Sequence, residues 1–326
     1  MQTLYEKILE ASRPVDERFS FIAKEELLAY HTSFRISSVH PRAASLKEYS
    51  YAVGPMESVF SERETLVLID QSFRSLPWVV HALPNSADVH WLIPSEAETK
   101  EKSWLANFIA IGRFKENRIQ EVIAVGGGIL INAASYIAEQ LGCDLAYVPT
   151  TVLAMSDGAI GGKVRANVIE NSTYRKHAHK TFYEPDRVVL DPRFLDGLPA
   201  KQIFVGMGEI IKHGVYQTRP LLDFLAREDF DPIQNRNELL KAILWTVELT
   251  SVCLNIDPDE TKEGSHVIMR GAHDASDKIE EASHFAIPHG TAVALAIRDE
   301  LSQLRSPLLP LVDRCFAKFL ITEKVF

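Results

Sequence analysis

The chain is poor in cysteine: only Cys143, Cys253 and Cys315 occur in 326 residues. They are odd in number, far apart and never in a CxxC pair. This excludes a disulfide scaffold or an all-thiolate zinc site, and it fits unpaired thiols in a reducing cytoplasm. Cations are in deficit as well, with 35 Lys plus Arg against 44 Asp plus Glu and a formal balance of −9. Sequence-independent nucleic-acid binding needs the opposite balance, so any phosphate must be held in a local basic pocket. No stretch approaches the roughly 20 uninterrupted apolar residues that cross a bilayer. The N-terminal MQTLYEKILEASRPVDERF carries acids and lacks an apolar core, so no signal peptide is expected. Repeats and low-complexity linkers are missing too. With neither nucleic acid nor membrane expected as a partner, a small molecule is.

A composition of 46% hydrophobic and 24% charged residues rules out a disordered chain, and the length suits two domains of roughly 150 residues each. Residues 1–48 alternate helical and extended patterns without identifiable chemistry and read as an N-terminal extension. From Tyr49 a strand-like run leads to a turn at Gly54-Pro55. TLVLID (65–70), VHWLIP (89–94), EVIAVGGG (121–128) and LAYVPTT (145–151) read as further strands. Helical stretches separate them: one over about 97–115, with Trp104, Leu105, Phe108, Ile109 and Ile111 at helical spacing, and ILINAASYIAEQL after the glycines. Strands alternating with helices predict a parallel sheet covered on both faces. Beyond VVLDPRFLDGLP (188–199) the period is helical throughout. The expected organisation is an α/β domain at 49–190 followed by an all-helical domain at 191–326, with a crevice between them as the default ligand site.

Gly126, Gly127 and Gly128 lie between a buried strand and a helix, where backbone can approach a pyrophosphate at a helix N-terminus. The run does not match GxGxxG, and a plain tight turn is the alternative. Asp70 ends an earlier strand, where an acid can accept from a ribose. Pro149-Thr150-Thr151 ends a later one, and its hydroxyls serve either a ligand or a helix cap. Together these strand ends favour a dinucleotide.

On GMGEIIKHG, Glu209, Lys212 and His213 share one helix face. They form either a solvated polar stripe or part of a site. His273, in RGAHDAS, and His289, which opens the apolar helix of IPHGTAVALAI, are either core or capping histidines or metal ligands. Two imidazoles and a carboxylate make the three-donor set of a catalytic zinc with one open position. In SDGAIGGKVRAN, Asp157 and Lys163 flank Gly161-Gly162, with Asn167 beyond; the lysine meets a phosphate or is solvated on a loop. YRKHAHK (174–180) concentrates Arg175, Lys176, His177, His179 and Lys180, a local cationic cluster suited to an anionic ligand.

VGGGILINAASYIAEQ, YVPTTVLAMSDGAIGGKVRAN, FYEPDRVVLDPRFLDGLP, GMGEIIKHG and IPHGTAVALAI occur here in one order over residues 49–305. The combination resembles the sugar phosphate cyclase superfamily, whose best-known member is 3-dehydroquinate synthase. The resemblance implies a Rossmann-like NAD domain and a helical C-terminal domain, commonly in a homodimer. It implies NAD held by Asp70, Gly127, Gly128, Asn132, Thr150, Thr151, Asp157 and Lys176, with Glu98 and Lys100 as ribose contacts. It also implies a divalent metal, usually zinc with cobalt as a substitute, on Glu209, His273 and His289, and Asp157, Lys163 and Lys212 acting on substrate. The chemistry implied is oxidation of a secondary alcohol, β-elimination of phosphate, return of the hydride and aldol closure, so that NAD is regenerated at each turn.

The sequence departs from dehydroquinate synthases at several of these positions. The carboxylate clamp of those enzymes falls on His266 and Val252, which cannot make a bidentate pair. The second histidine of the family's GHTFGHA is Asp277, leaving Arg270 to compensate for the lost cation. The GKN asparagine is His177, and the aspartate after the glycine turn is Asn132. The arginine that reaches a neighbouring subunit is missing from AEQLGCDL, and the lysine-bearing C-terminal segment is expected to be absent or truncated after His289. Asn167, Arg270, His266, Asp277 and His177 are therefore the candidate substrate contacts. The expected substrate is a sugar phosphate without a carboxylate, such as sedoheptulose 7-phosphate or a hexose 6-phosphate, as in the valiolone-type and deoxy-inosose-type cyclases of secondary metabolism. The alternatives are 3-dehydroquinate synthase, a metal-dependent polyol dehydrogenase and a catalytically degenerate binding homologue.

Overall fold

The computed structural model describes residues 2–95, 98–170 and 173–319, without the side chains of residues 173, 174 and 177. It separates into two units. One comprises residues 31–150 and 158–192, the other residues 1–30, 151–157 and the chain from Arg193 onward. This division differs from 1–48, 49–190 and 191–326. Residues 1–30 fold with the helical part, 31–48 with the sheet, and a short insert at 151–157 returns to the helices.

The first unit holds β1 (His31–Arg35), β2 (Glu48–Val53), β3 (Thr65–Asp70), β4 (Asp88–Leu92), β5 (Glu121–Gly126), β6 (Asp144–Pro149), β7 (Lys163–Glu170), β8 (Thr173–Phe182) and β9 (Arg187–Leu190). Seven of these form one sheet in the order β1-β2-β9-β6-β5-β3-β4. Every pairing in it is parallel except β1 against β2. The strands β3, β5 and β6 are buried almost end to end, which is why they read as unbroken apolar runs. The helices Pro77–Ala82, Lys102–Gly112 and Gly128–Leu141 supply the crossovers between them.

Strand order reverses between β3 and β5, since β4 lies outside β3 while β6 and β9 lie beyond β5. Ligands of open parallel sheets bind at the carboxyl ends of the strands flanking such a reversal. The paired registers Ile69 with Val125 and Gly126 with Pro149 bring Asp70, the glycine turn and Thr150 to that one edge. Thr150 N–H donates to the Gly126 carbonyl at 3.1 Å, tying the end of β6 to the turn.

Residues 163–167 of the first segment, together with 174–180, read above as a loop and a cationic cluster, lie in the antiparallel hairpin β7–β8. The tight entry to it needs Gly161 and Gly162, both at positive φ, and a Cβ on Gly162 would press on the Glu184 backbone.

The described elements of the second unit are helical. Its first 30 residues are anchored by chemistry that their pattern does not announce. In the helix Leu4–Phe21, Phe19 stacks on Trp245, Asp16 accepts from the Trp245 indole at 3.0 Å, and Ser12 accepts from Gln217 at 2.9 Å. The partner helix Arg236–Ile256 is long and apolar enough to cross a bilayer by length and composition, yet most of it is buried in this unit.

The helices Ala200–Tyr216 and His289–Gln303 cross almost backbone to backbone. A Cβ on Gly208 would lie 1.8 Å from the Gly290 carbonyl oxygen, and one on Gly290 would lie 1.9 Å from that of Val205. Glycine inside a helix costs about 1 kcal/mol relative to alanine. At this crossing no larger residue fits.

Candidate functional site

The glycine crossing places the neighbours of Gly208 and Gly290 face to face, and those neighbours are Glu209 and His289. Glu209 is fully buried. Its Oε1 lies 3.2 Å from His289 Nε2 and 3.8 Å from His273 Nε2. One donor atom from each of the three residues falls within 4.8 Å of the others. Donors around a tetrahedral zinc, at about 2.0–2.2 Å from the metal, sit roughly 3.3 Å apart. Neither Glu209 oxygen has a hydrogen-bond partner among the described residues beyond its ion pairs. Two imidazoles, a buried carboxylate and this separation fit a divalent cation.

Lys212, one turn along from Glu209, is fully buried as well, so the polar face of this helix is no solvated stripe. Its Nζ lies 2.6 Å from Glu209 Oε2, donates to the Met269 carbonyl at 3.2 Å and stands 3.9 Å from Asp157 Oδ1. Burial opposes charge on both partners. The Lys212 ammonium and the two imidazoles nevertheless hold Glu209 well below the usual carboxylate range, while Glu209 and Asp157 hold Lys212 above the usual lysine value. The site therefore contains a charged carboxylate and a charged ammonium side by side.

The two histidines differ. Burial pushes His273 down to about 4, against the pull of Glu209, so it is a neutral donor. His289 is also desolvated, but Glu209 and Glu280 on opposite sides of its ring outweigh burial and push it up to about 10. His273 Nδ1 meets the Gly271 carbonyl at 3.1 Å, whereas His289 Nδ1 meets Glu280 Oε1 at 2.7 Å. The Met269 and Gly271 carbonyls and Glu280 all escape a reading of side-chain motifs. Carbonyls leave no trace in residue type, but Glu280 lies two turns beyond His273 on the helix His273–Ala282, and that spacing is visible.

His213, last of the polar face, turns away into the core, with Gln217 Oε1 2.7 Å from Nδ1 and Thr250 Oγ1 3.3 Å from Nε2. Burial, reinforced by Lys212, pushes it down to about 3. Arg270 reaches Asp274 at 3.2 Å, and its Nε has no hydrogen-bond partner among the described residues. His266 and Asp277 are exposed. Thr151 Oγ1 accepts from Ala154 N–H at 3.2 Å and so acts as a cap.

In the sheet unit, the helix Gly128–Leu141 starts at Gly127 with no side-chain cap, leaving its first N–H groups available. A Cβ on Gly128 would meet no protein atom within 4 Å, whereas one on Gly126 would strike Leu130 at 2.7 Å. The open face at Gly128 fits the close approach of a pyrophosphate. Asp70 Oδ1 accepts from Ser72 N–H at 2.9 Å. Asn132 bridges two backbones, donating to the Gly128 carbonyl at 2.7 Å and accepting from Arg165 N–H at 2.6 Å. It thus staples the hairpin beside the glycine turn. Asn167 is fully buried, and its N–H donates to the Lys100 carbonyl at 2.9 Å, which places the 98–101 segment against β7. Lys100 and Thr150 are buried, Lys163 and Lys176 half-buried, and Glu98 exposed. The side chain of His177 lies outside the described residues.

Comparison with known proteins gives a consistent family signal. The family model for the 3-dehydroquinate synthase N-terminal region matches residues 90–205, and that for its C-terminal region matches residues 206–306. A 3-dehydroquinate synthase of Sulfurisphaera tokodaii is 34% identical over 180 residues, covering 54% of this chain and 49% of that protein. The chain spans about half the length of the curated relatives it matches. Among solved structures, the 2-epi-5-epi-valiolone synthase of Streptomyces hygroscopicus subsp. jinggangensis, with NAD+ and Zn2+ bound, superposes with a TM-score of 0.71 at 20% identity, covering 89% of this chain and 84% of that one. A 2-deoxy-scyllo-inosose synthase complexed with carbaglucose-6-phosphate, NAD+ and Co2+ gives 0.69 at 21% identity, covering 90% and 82%. At these identities the two superpositions speak for the fold.

Proposed function

Since the chain belongs to the 3-dehydroquinate synthase family of sugar phosphate cyclases, we propose that it is an NAD- and metal-dependent cyclase that eliminates phosphate from a sugar phosphate without a carboxylate. The observation that carries this reading is the meeting of Glu209, His273 and His289 beside a buried Lys212 and a half-exposed Asp157. When bound, the divalent cation, zinc or cobalt, supplies Lewis acidity to a substrate hydroxyl, and NAD supplies a hydride acceptor that is restored in the same turnover.

The chain's own groups divide the remaining work. Glu209, His273 and His289 hold the cation. Lys212, kept charged by Glu209 and Asp157, offers protons to developing negative charge on oxygen, and Asp157 orients it. Lys163 and Arg270 take the phosphate, with Asn167, His177, His266 and Asp277 as further contacts to substrate. Asp70, Gly127, Gly128, Asn132, Thr150, Thr151 and Lys176 hold the dinucleotide, with Glu98, Lys100 and Asp157 beside it. The open face at Gly128 and the uncapped helix behind it support that assignment.

The substrate class rests on the positions where dehydroquinate synthases clamp a carboxylate. Here they are half-buried Val252 and exposed His266, which make no bidentate grip. A ketose or aldose phosphate such as sedoheptulose 7-phosphate or a hexose 6-phosphate asks for none. The names of the curated relatives favour a second reading, 3-dehydroquinate synthase itself. Three buried free thiols suit a reducing cytoplasm, and a homodimer comes with the resemblance.

The test is inorganic phosphate release, with product mass, across a panel of sugar phosphates in the presence of NAD+ and Zn2+ or Co2+. Release from a sugar phosphate without a carboxylate, abolished by chelator and by omitting NAD+, is expected. Release only from the carboxylate-bearing substrate of dehydroquinate synthase would replace this reading with the second.

A further inference from the structure

The two histidines of the cluster are held from behind by different chemistry. His273 leans on a backbone carbonyl two residues before it, a neutral acceptor at 3.1 Å. His289 leans on Glu280 Oε1 at 2.7 Å, from a side chain only 3% exposed in the whole residue. We infer that Glu280 is a positioning residue of the metal centre: it fixes the His289 ring and tautomer so that Nε2 presents its lone pair to the cation. This role rests on the metal reading proposed above.

His289 is the first residue of its helix, and the preceding Pro288 offers it no side-chain hydrogen bond. Without a partner on Nδ1 its ring would be free to flip, and either nitrogen could carry the proton. A carboxylate on Nδ1 demands an N–H there. That leaves Nε2, the atom that faces Glu209 Oε1 at 3.2 Å, as the nitrogen that gives up its proton and offers its lone pair when a cation binds. The negative charge also strengthens the imidazole as a donor, as carboxylates behind metal-bound histidines do.

Charge leads to the same conclusion. The carboxylate of Glu209 is matched by Lys212 at 2.6 Å. Glu280 adds a second negative charge behind the His289 ring, close to where a divalent cation would stand, and so favours positive charge at the ring's far nitrogen. The helix His273–Ala282 thus delivers one ligand at its start and the support for another two turns later. It couples both histidines to a single rigid element.

The purified chain is titrated with Co2+, followed by d–d absorption, and with Zn2+ against a competing chelator, all at one pH. Wild type, Glu280→Gln and Glu280→Ala are compared. Wild type should bind one cation. Glu280→Gln, which keeps an acceptor but loses the charge, should bind roughly 10-fold more weakly, and Glu280→Ala roughly 100-fold more weakly with a changed Co2+ spectrum. Denaturant midpoints of the metal-free proteins show that each variant is folded, and the near-isosteric glutamine keeps the test open if the alanine variant is not. A folded Glu280→Gln that binds as tightly as wild type, with an unchanged spectrum, overturns the role and leaves the metal reading standing. A wild type that takes up no cation overturns both.

Discussion

Glycine is used in opposite ways in the two units. At Gly208 and Gly290 the absent side chain makes room for the protein itself, because each alpha carbon faces a backbone carbonyl of the other helix. At Gly128 it leaves room for something else, since no protein atom lies within 4 Å of where a Cβ would be. A glycine that the fold fills is structural, and Gly128, left open at the head of an uncapped helix, is a candidate ligand contact. Sequence marks only one kind: Gly128 stands out by its place between a buried strand and a helix, whereas nothing in GMGEIIKHG or IPHGTAVALAI shows that Gly208 and Gly290 face another backbone.

The contrast should break first at the crossing. Gly208→Ala and Gly290→Ala should each destabilise the chain by about 3 kcal/mol or more, since overpacking against rigid backbone has little way to relax. Denaturant unfolding measures this, and both variants should also lose cation binding as Glu209 and His289 move apart. Gly128→Ala should do the reverse. It should leave the unfolding midpoint unchanged or slightly raised, because alanine suits a helix and meets nothing, and weaken NAD+ binding about 10-fold, or about 1.4 kcal/mol, in a fluorescence titration. A stable Gly208→Ala, or a Gly128→Ala with undiminished NAD+ affinity, would remove the distinction.

Two smaller effects sharpen the picture of the helical unit. His213 sits at about 3 in the folded chain because of burial and Lys212, whereas an unfolded histidine titrates near 6.5. Between those values the unfolded chain takes up a proton that the folded chain refuses. Stability from this group is therefore full above about pH 6.5 and is lost as pH falls toward 3, by on the order of 1 kcal/mol per pH unit. Denaturation at pH 7.5 and 5.5 should show a shallower pH slope for His213→Gln than for wild type. Ala272, just before His273, sits at φ 61°, a left-handed conformation that glycine adopts freely. Ala272→Gly should accordingly raise the melting temperature slightly, by the equivalent of about 0.5–1 kcal/mol.

These regions were legible in the sequence to different degrees. The strands β3, β5 and β6 stand out because burial on both faces demands unbroken apolar residues. Asp70, the glycine turn and Thr150 could be grouped because parallel strands end at one edge. The hairpin β7–β8 was hidden, since one of its faces is basic and its alternation resembles a charged loop. Residues 1–30 gave no sign of belonging with the helices, because Asp16, Ser12 and Phe19 find partners more than 200 positions away. No local spacing links Glu209, His273 and His289; the resemblance grouped them, and the Gly208–Gly290 crossing supplies the physical reason that two of them meet. Glu280 was overlooked because a glutamate on a polar helix is ordinary until its burial is known.

In the proposed reaction, oxidation is transient and serves elimination. Phosphate and NADH should be followed together in one reaction of the metal-loaded chain with NAD+ and sedoheptulose 7-phosphate or a hexose 6-phosphate. Many equivalents of phosphate per enzyme with no rise in absorbance at the NADH band is the predicted result. NADH accumulating without phosphate would instead make the chain a polyol dehydrogenase and overturn the cyclase reading.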